Sequence, residues 1–512
     1  MRVGIDFGTT HTVVAVVDRG NYPIVSFDGM DTWPSLIAAD AVGQLRFGVD
    51  AAAVRHEPGW SVLRSVKRLL NQAGPRTEVA LAGRSYRLVD LLAGLLTQLK
   101  SDLLNRSNAG LAPGETVEAA ISVPANASSA QRLLTLDAFV AAGFHVVALL
   151  NEPSAAGLEY AHRYRSTITT KREYVLIYDL GGGTFDASLL KMTGHVNEVV
   201  ISEGIQRLGG DDFDEAILQL VLARANLTVD ATGRDLLREE CAARKEAVGP
   251  QTRRFLVDLA AIDQEGERAP FSCAIDDVYS VCAPLVDKTT ELLDRVLRDP
   301  TRDDGDAAGS VGWSEVAGIY VVGGTGGFPL VSRTLRTTFG ERRVKRSPHP
   351  FAATAIGLAV FLDSESGFAL SERFSRHFGV FREARAGDDV VFDPIVPKDA
   401  SLPADGRSPL VVSRTYRAAH NIGHFRFVEC SRLVNGRPDG DVVPYDPVLF
   451  PFDPALRDRE DLERQPVGRW SDGPEVEERY VVAPSGAVEV TLTTQPAGFK
   501  RTFRLERRAA RV

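Results

Sequence analysis

The chain has 512 residues, of which 44% are hydrophobic and 25% charged, and a formal net charge of -9. This is the balance of a soluble globular protein with about three or four structural units. The mild acidity gives no basic face to a nucleic acid, and no run of about 18 apolar residues offers a membrane span. Nucleotides and peptides remain open as ligands.

The N-terminus lacks the charged, apolar and cleavage-site sequence of a signal peptide, so the cytoplasm is the expected compartment. It opens instead on a strand, Val3–Ile5, that runs into Asp6-Phe7-Gly8. A kinase with this triplet has its phosphate loop, strand lysine and catalytic loop upstream. Here only five residues precede Asp6, so the kinase reading fails.

The opening GIDFGTTHTVVAV has an echo in YVLIYDLGGGTFDASLL at 174–190. Each copy predicts an apolar strand (Val3–Ile5; Tyr174–Tyr178), an aspartate, a turn of glycine and threonine, and a second apolar strand (Thr12–Val17; Ala187–Leu190). This is a β-hairpin with a Gly-rich turn. The two copies lie about one domain's length apart, which predicts two similar lobes, each presenting one hairpin to a shared cleft. Gly8 in the first turn and Gly181, Gly182 and Gly183 in the second let the backbone N–H groups approach an anion. Thr9, Thr10 and Thr184 add hydroxyls. Asp6 and Asp179, at the strand ends, suit Mg²⁺, which accepts one or two carboxylates and keeps its waters. Either hairpin alone would pass for an ordinary turn; the matched pair points to a triphosphate gripped from both sides.

Between and beyond the hairpins lie SVKRLL (65–70), ISVPANASSAQR (121–132), NEPSAAGLEY (151–160), LGGDDFD (208–214) and VVGGTGGFP (321–329). Alone, Lys67 would be a solvated helix lysine, and Glu152 a helix-start acid beside Pro153. In this order, with the hairpins, the motifs resemble the seventy-kilodalton heat-shock (DnaK-like) chaperones, members of the actin, sugar-kinase and heat-shock ATPase superfamily. The resemblance implies ATP or ADP with Mg²⁺ as cofactors. It implies that Asp6 and Asp179 hold hydrated Mg²⁺, and that Lys67 contacts the γ-phosphate and positions the attacking water. Glu152 and Asp186 would orient that water and the magnesium shell, with Thr184 beside the γ-phosphate. Gly209, Gly210 and Asp211, with Gly323, Gly324, Thr325 and Lys245, would form the nucleoside side. Pro124 and Arg132 would act as a switch.

The sequence departs from the family's pattern at the base end. Gly327 stands where an arginine stacked on the base is expected, Ala242 and Gly249 replace two polar positions around Lys245, and Phe351 replaces an aspartate. Weaker nucleotide binding is expected, by one to three orders of magnitude if each lost contact costs roughly 0.5–2 kcal/mol, unless Phe328 or Phe351 stacks instead. Ala148 replaces an arginine that helps engage J-domain co-chaperones, and Pro124-Ala125-Asn126-Ala127 replaces PAYF, so partnership with a J-domain protein or an exchange factor is not assumed.

Helix-like and apolar strand patterns continue to residue 363, after which SESGFALSERFSR reads as a linker or docking segment with only Phe368, Leu370 and Phe374 apolar. Beyond His377, short alternating runs at 424–430, 477–482, 488–494 and 501–507 are separated by Pro, Gly and Asn turns, an antiparallel sandwich signature. VVFDPIVPKDASLP and YVVAPSGAVEVTLTT resemble the chaperones' substrate-binding β-domain, whereas the Pro-rich 441–470 has no close counterpart. The chain stops at Val512 without the family's helical lid, which predicts fast client exchange. The basic tail reads as a charged edge strand, and His420 and His424 as surface or turn residues. Cys241, Cys273, Cys282 and Cys430 share no metal spacing and read as buried or half-buried free thiols in a reducing compartment.

The expected architecture is an α/β actin-like two-lobed ATPase domain over 1–362, a linker over 363–376 and an all-β sandwich over 377–512. The expected function is a slow Mg·ATP-driven chaperone whose β-domain binds unfolded or dedicated client proteins, without nucleic-acid or membrane partners. Two alternatives are a scaffold for one dedicated partner with little turnover, and an actin-like filament protein or sugar kinase; NEPSAAGLEY and the C-terminal β-region argue against the last pair.

Overall fold

The structure, a computed structural model, describes residues 1–512 apart from 71–72, 74–76, 125–126, 194–195, 206, 263–268, 299–310, 368, 372–373, 375, 385–388, 399, 404–407, 435, 460, 497 and 506–512. Ala125, Asn126, Phe368 and the end of the basic tail therefore lie outside the described residues, as do the side chains of the linker's Leu370 and its neighbours.

Both predicted hairpins form, and each sits in a mixed sheet. The first pairs Arg2–Phe7 with His11–Val16, and the second Tyr174–Leu180 with Phe185–Thr193. In the first sheet the order is His145–Asn151, Glu118–Val123, Arg2–Phe7, His11–Val16, Trp33–Pro34. In the second it is Val344–Arg346, Val316–Val322, Tyr174–Leu180, Phe185–Thr193, Val196–Ile205 and Ala369–Ser371. Each hairpin's first strand has two parallel neighbours on one side and its antiparallel partner on the other. The repeat legible in the sequence is thus a repeat of topology. Parallel pairing requires crossovers, supplied by Leu88–Asn105 and Ser129–Ala141 for the first sheet and by helices such as Ile275–Arg298 and Pro329–Phe339 for the second.

Two helices bind these sheets together. Glu152–Tyr164 is buried along most of its length, and Ala353–Leu362 is apolar on every side, the pattern of a fully enclosed helix. Glycines let them approach: a Cβ at Gly357 would lie 1.7 Å from the Ala155 carbonyl oxygen, and one at Gly4 would lie 2.3 Å from that of Ala355. This crossing fixes the start of the 152–164 helix, where Glu152 stands.

The C-terminal region is antiparallel, as its alternation predicts. One sheet runs Asp389–Val396, His377–Ala384, Ile422–Val434, Arg437–Pro444, and the other Leu410–Arg417, Glu475–Val482, Val488–Gln495, Phe499–Arg504. Phe378, Phe427, Val476, Tyr480, Val490 and Leu492 share one apolar core. The last strand is a sheet edge carrying Lys500, Arg501 and Arg504, a charge pattern that discourages edge pairing. Within the segment read as a linker, Ala369–Ser371 pairs parallel with Val196–Glu198. All four cysteines are buried free thiols. Among the described residues no helix is long and apolar enough to cross a membrane.

Candidate functional site

The hairpin turns meet tip to tip. In the second, Gly181 N–H donates to the Thr184 carbonyl at 3.0 Å. A Cβ at Gly8 would lie 2.1 Å from the His11 carbonyl oxygen within the first turn, and one at Gly182 would lie 2.5 Å from Thr10 Oγ1 of the opposite turn. The remaining glycine turns pack behind. A Cβ at Gly209 would lie 2.5 Å from Gly183 N, and one at Gly210 2.7 Å from Thr325 Oγ1. Thr325 Oγ1 donates to the Gly181 carbonyl at 2.9 Å. Gly323, at φ +82, presses its α-carbon against Asp179, whose Oδ1 would be 2.5 Å from any Cβ there. Gly324 faces open space. The structure therefore gathers Gly8, Thr10, Gly181, Gly182, Gly183, Gly209, Gly210, Gly323 and Thr325 into one cradle of closely packed turns, with Thr9 in the first turn.

Acidic side chains converge on the same place. Asp179 and Asp186 are direct cross-strand partners, so they leave the same face of the sheet. Asp6 accepts a 2.8 Å hydrogen bond from Ser122. Glu152 begins its helix, with Pro153 in the first turn, and pairs with Lys67, which is only 7% exposed. The Lys67 ammonium also lies 5.9 Å from the Phe7 ring centroid.

These groups perturb one another. Burial, then Glu152, pushes Asp6 up to about 6, against Lys67 and Ser122. Burial and Glu152 push Asp186 up to about 7, against Lys67 and the Thr184 hydroxyl. Asp179 is raised well above the carboxylate range by burial, then by Glu152, Asp186 and Asp6. Burial opposes the Lys67 charge, but Glu152, Asp6 and Asp179 outweigh it and hold the ammonium above its ordinary value. One lysine thus faces several carboxylates, and the site favours a further cation. Among the described residues no three of His, Cys, Asp and Glu gather closely enough to bind an ion directly. The arrangement fits Mg²⁺ that keeps its waters.

Several contacts around these residues were not apparent from the sequence. Arg68, beside Lys67, reaches the second hairpin, donating to the Gly183 carbonyl at 2.7 Å and pairing with Asp211 at 3.2 Å. Glu239, on Ala231–Glu246, is engaged by Arg64 and, at 3.0 Å, by His56. Lys245 is buried, paired with Asp214 at 2.6 Å, and donates to the Gly210 carbonyl at 3.1 Å. It braces the 209–210 turn from below. Phe328, offered by the sequence as a stacking residue, is buried, edge-on to Phe213 and Tyr279. Phe351 is half-buried beside an apolar cluster. Pro124 follows the strand Glu118–Val123, and Arg132, 3% exposed, hydrogen-bonds to Asn151, which precedes Glu152.

A family model described as Hsp70 protein matches residues 69–372. The chain belongs to the Hsp70 family. Among its relatives, the Chaperone protein HscA homolog of Pseudomonas putida is 35% identical over 392 residues, 72% of this chain and 58% of that protein. The HscA homolog of Chromobacterium violaceum is 32% identical over 377 residues, 70% of this chain and 58% of that protein. The Chaperone protein DnaK of Thermosipho africanus is 29% identical over 476 residues, 86% of this chain and 75% of that protein. The chain thus spans 58% of the length of these HscA homologs. Hsp70 membership implies actin-like ATPase lobes followed by a β-sandwich, and the two mixed sheets and two antiparallel sheets agree with it.

Proposed function

We propose that this Hsp70-family chain is an ATP-dependent molecular chaperone, with an ATPase domain over 1–362, a linker over 363–376 and a client-binding β-domain from 377. The observation that carries the reading is the pair of facing hairpin turns with Lys67 and Glu152 held among three raised aspartates. Hydrated Mg²⁺, held by Asp6 and Asp179, would supply charge neutralisation at the phosphates. Phosphoryl transfer otherwise needs in-line positioning and electrostatic stabilisation. The backbone N–H groups of the two turns, with Thr9, Thr10 and Thr184, bind the phosphate oxygens. Lys67 orients the attacking water, Glu152 fixes the Lys67 ammonium, and Asp186 accepts a hydrogen bond from that water.

A path to the β-domain starts at the same helix. Arg132 binds Asn151 and points its other nitrogen at the Ser485 carbonyl, 3.5 Å away. Lys398 pairs with Glu203 at 3.6 Å, and Ala369–Ser371 adds a strand to the second sheet. These contacts support a coupling in which ATP binding changes client affinity, which requires unequal ATP affinity for two conformations. The setting is cytoplasmic, in keeping with four reduced thiols. The test is single-turnover hydrolysis of Mg·ATP by wild type and Lys67→Ala. Turnover in wild type alone is expected; ATP binding without turnover in either would favour the scaffold reading.

A further inference from the structure

Arg346 fills the space that Gly327 leaves. The strand Val344–Arg346 runs parallel to Val316–Val322, with Arg346 in register with Val321, so its side chain departs beside the turn that Val322 enters. A Cβ at Gly327 would stand 2.9 Å from Arg346 Nη2 and 3.8 Å from its Cζ. The guanidinium therefore occupies the first step of the path any side chain at 327 would take. Arg346 is exposed, and among the described residues no carboxylate lies within ion-pair distance of it.

The position of this cation relative to the phosphate cradle gives it a meaning. The turn starts at Gly323, against Asp179, and is tied to the phosphate turn through Thr325 and Gly181. Its far end, Gly326–Gly327, continues the turn that the Hsp70 resemblance assigns to the nucleoside side. Other candidates for a base contact there are committed elsewhere. Lys245 is neutralised by Asp214, and Phe328 is locked between Phe213 and Tyr279. A planar guanidinium can lie flat on an aromatic face, which a compact ammonium cannot.

We infer that Arg346 is the base-stacking residue of this nucleotide site, reaching over Gly327 from the neighbouring strand. The inference rests on the ATP reading above and deepens it. It makes Gly327 a requirement, since a side chain there would displace the guanidinium.

The test compares binding of Mg·ATP with binding of Mg·tripolyphosphate, which has the phosphates and no base. Wild type, Arg346→Ala, Arg346→Lys and Gly327→Ala are titrated by calorimetry. Arg346→Ala should weaken Mg·ATP about fivefold to tenfold and leave Mg·tripolyphosphate unchanged. Arg346→Lys should recover little of the loss, and Gly327→Ala should weaken ATP selectively. If Arg346→Ala leaves ATP affinity intact, or weakens both ligands equally, the base contact is refuted while the ATP reading stands. If wild type binds tripolyphosphate no worse than ATP, the base contact is refuted too. Absence of any binding by wild type would overturn the ATP reading itself.

Discussion

Asp186→Asn should stabilise the nucleotide-free, metal-free protein at neutral pH, and by an amount that depends on pH in a defined way. Burial and Glu152 move the Asp186 carboxyl from its ordinary 3.8 to about 7 in the folded chain. Between these values the unfolded chain has released its proton and the folded chain still holds it. Stability is therefore lost as pH rises from 3.8, and the loss is complete above 7. A displacement of about three pH units corresponds to roughly 4 kcal/mol. The amide cannot ionise, and its carbonyl can still accept from Thr184. The variant and wild type should thus be equally stable near pH 4 and diverge to as much as about 4 kcal/mol by pH 8. Urea unfolding followed by tryptophan fluorescence, to which Trp33, fully buried in the first sheet's core, contributes, measures the difference. Added Mg²⁺ should narrow the gap at pH 8, because a cation relieves the same repulsion. A pH-independent difference, or a variant less stable at pH 8, would refute the account of the carboxylate cluster.

Arg68→Ala removes the bond to the Gly183 carbonyl and the pair with Asp211. Loss of contacts worth roughly 1–2 kcal/mol should speed nucleotide release about fivefold to thirtyfold, read by stopped-flow with a fluorescent ATP analogue. Gly357→Ala should cost about 2–3 kcal/mol despite the better helix propensity of alanine, because its Cβ would lie 1.7 Å from the Ala155 carbonyl oxygen; thermal unfolding checks this. Glu478 is fully buried and takes bidentate bonds of 2.9 and 2.8 Å from Arg382. Glu478→Ala should destabilise the sandwich by roughly 3–5 kcal/mol, seen as a lowered unfolding midpoint of the C-terminal region in proteolysis or circular dichroism.

The two hairpins were legible because their signals are local. A glycine turn between two apolar runs marks a hairpin wherever it occurs, and Glu152 next to Pro153 marks a helix start. Lys67 stands out only through its motif, and in space it pairs with Glu152. The surroundings of the 323–329 turn were not legible, since their contacts join segments that no local pattern connects. Gly327 reads as a loss along the chain, whereas in space Arg346 stands beside it. Phe328 looks available for stacking until its burial against Phe213 and Tyr279 is seen. The pairing of Lys245 with Asp214 depends on two helices packing together, which neither helix's pattern shows. Ala369–Ser371 joins the second sheet through backbone hydrogen bonds, which leave no mark in side-chain periodicity.

Coupling of nucleotide to client within one chain is decided by peptide release. A fluorescent, extended apolar peptide bound to the protein is followed by anisotropy while Mg·ATP is added, for wild type and Arg132→Ala. ATP should lower peptide affinity or speed its release in wild type, and this response should be reduced in the variant although ATP still binds. Peptide affinity that is the same with and without bound ATP would contradict it.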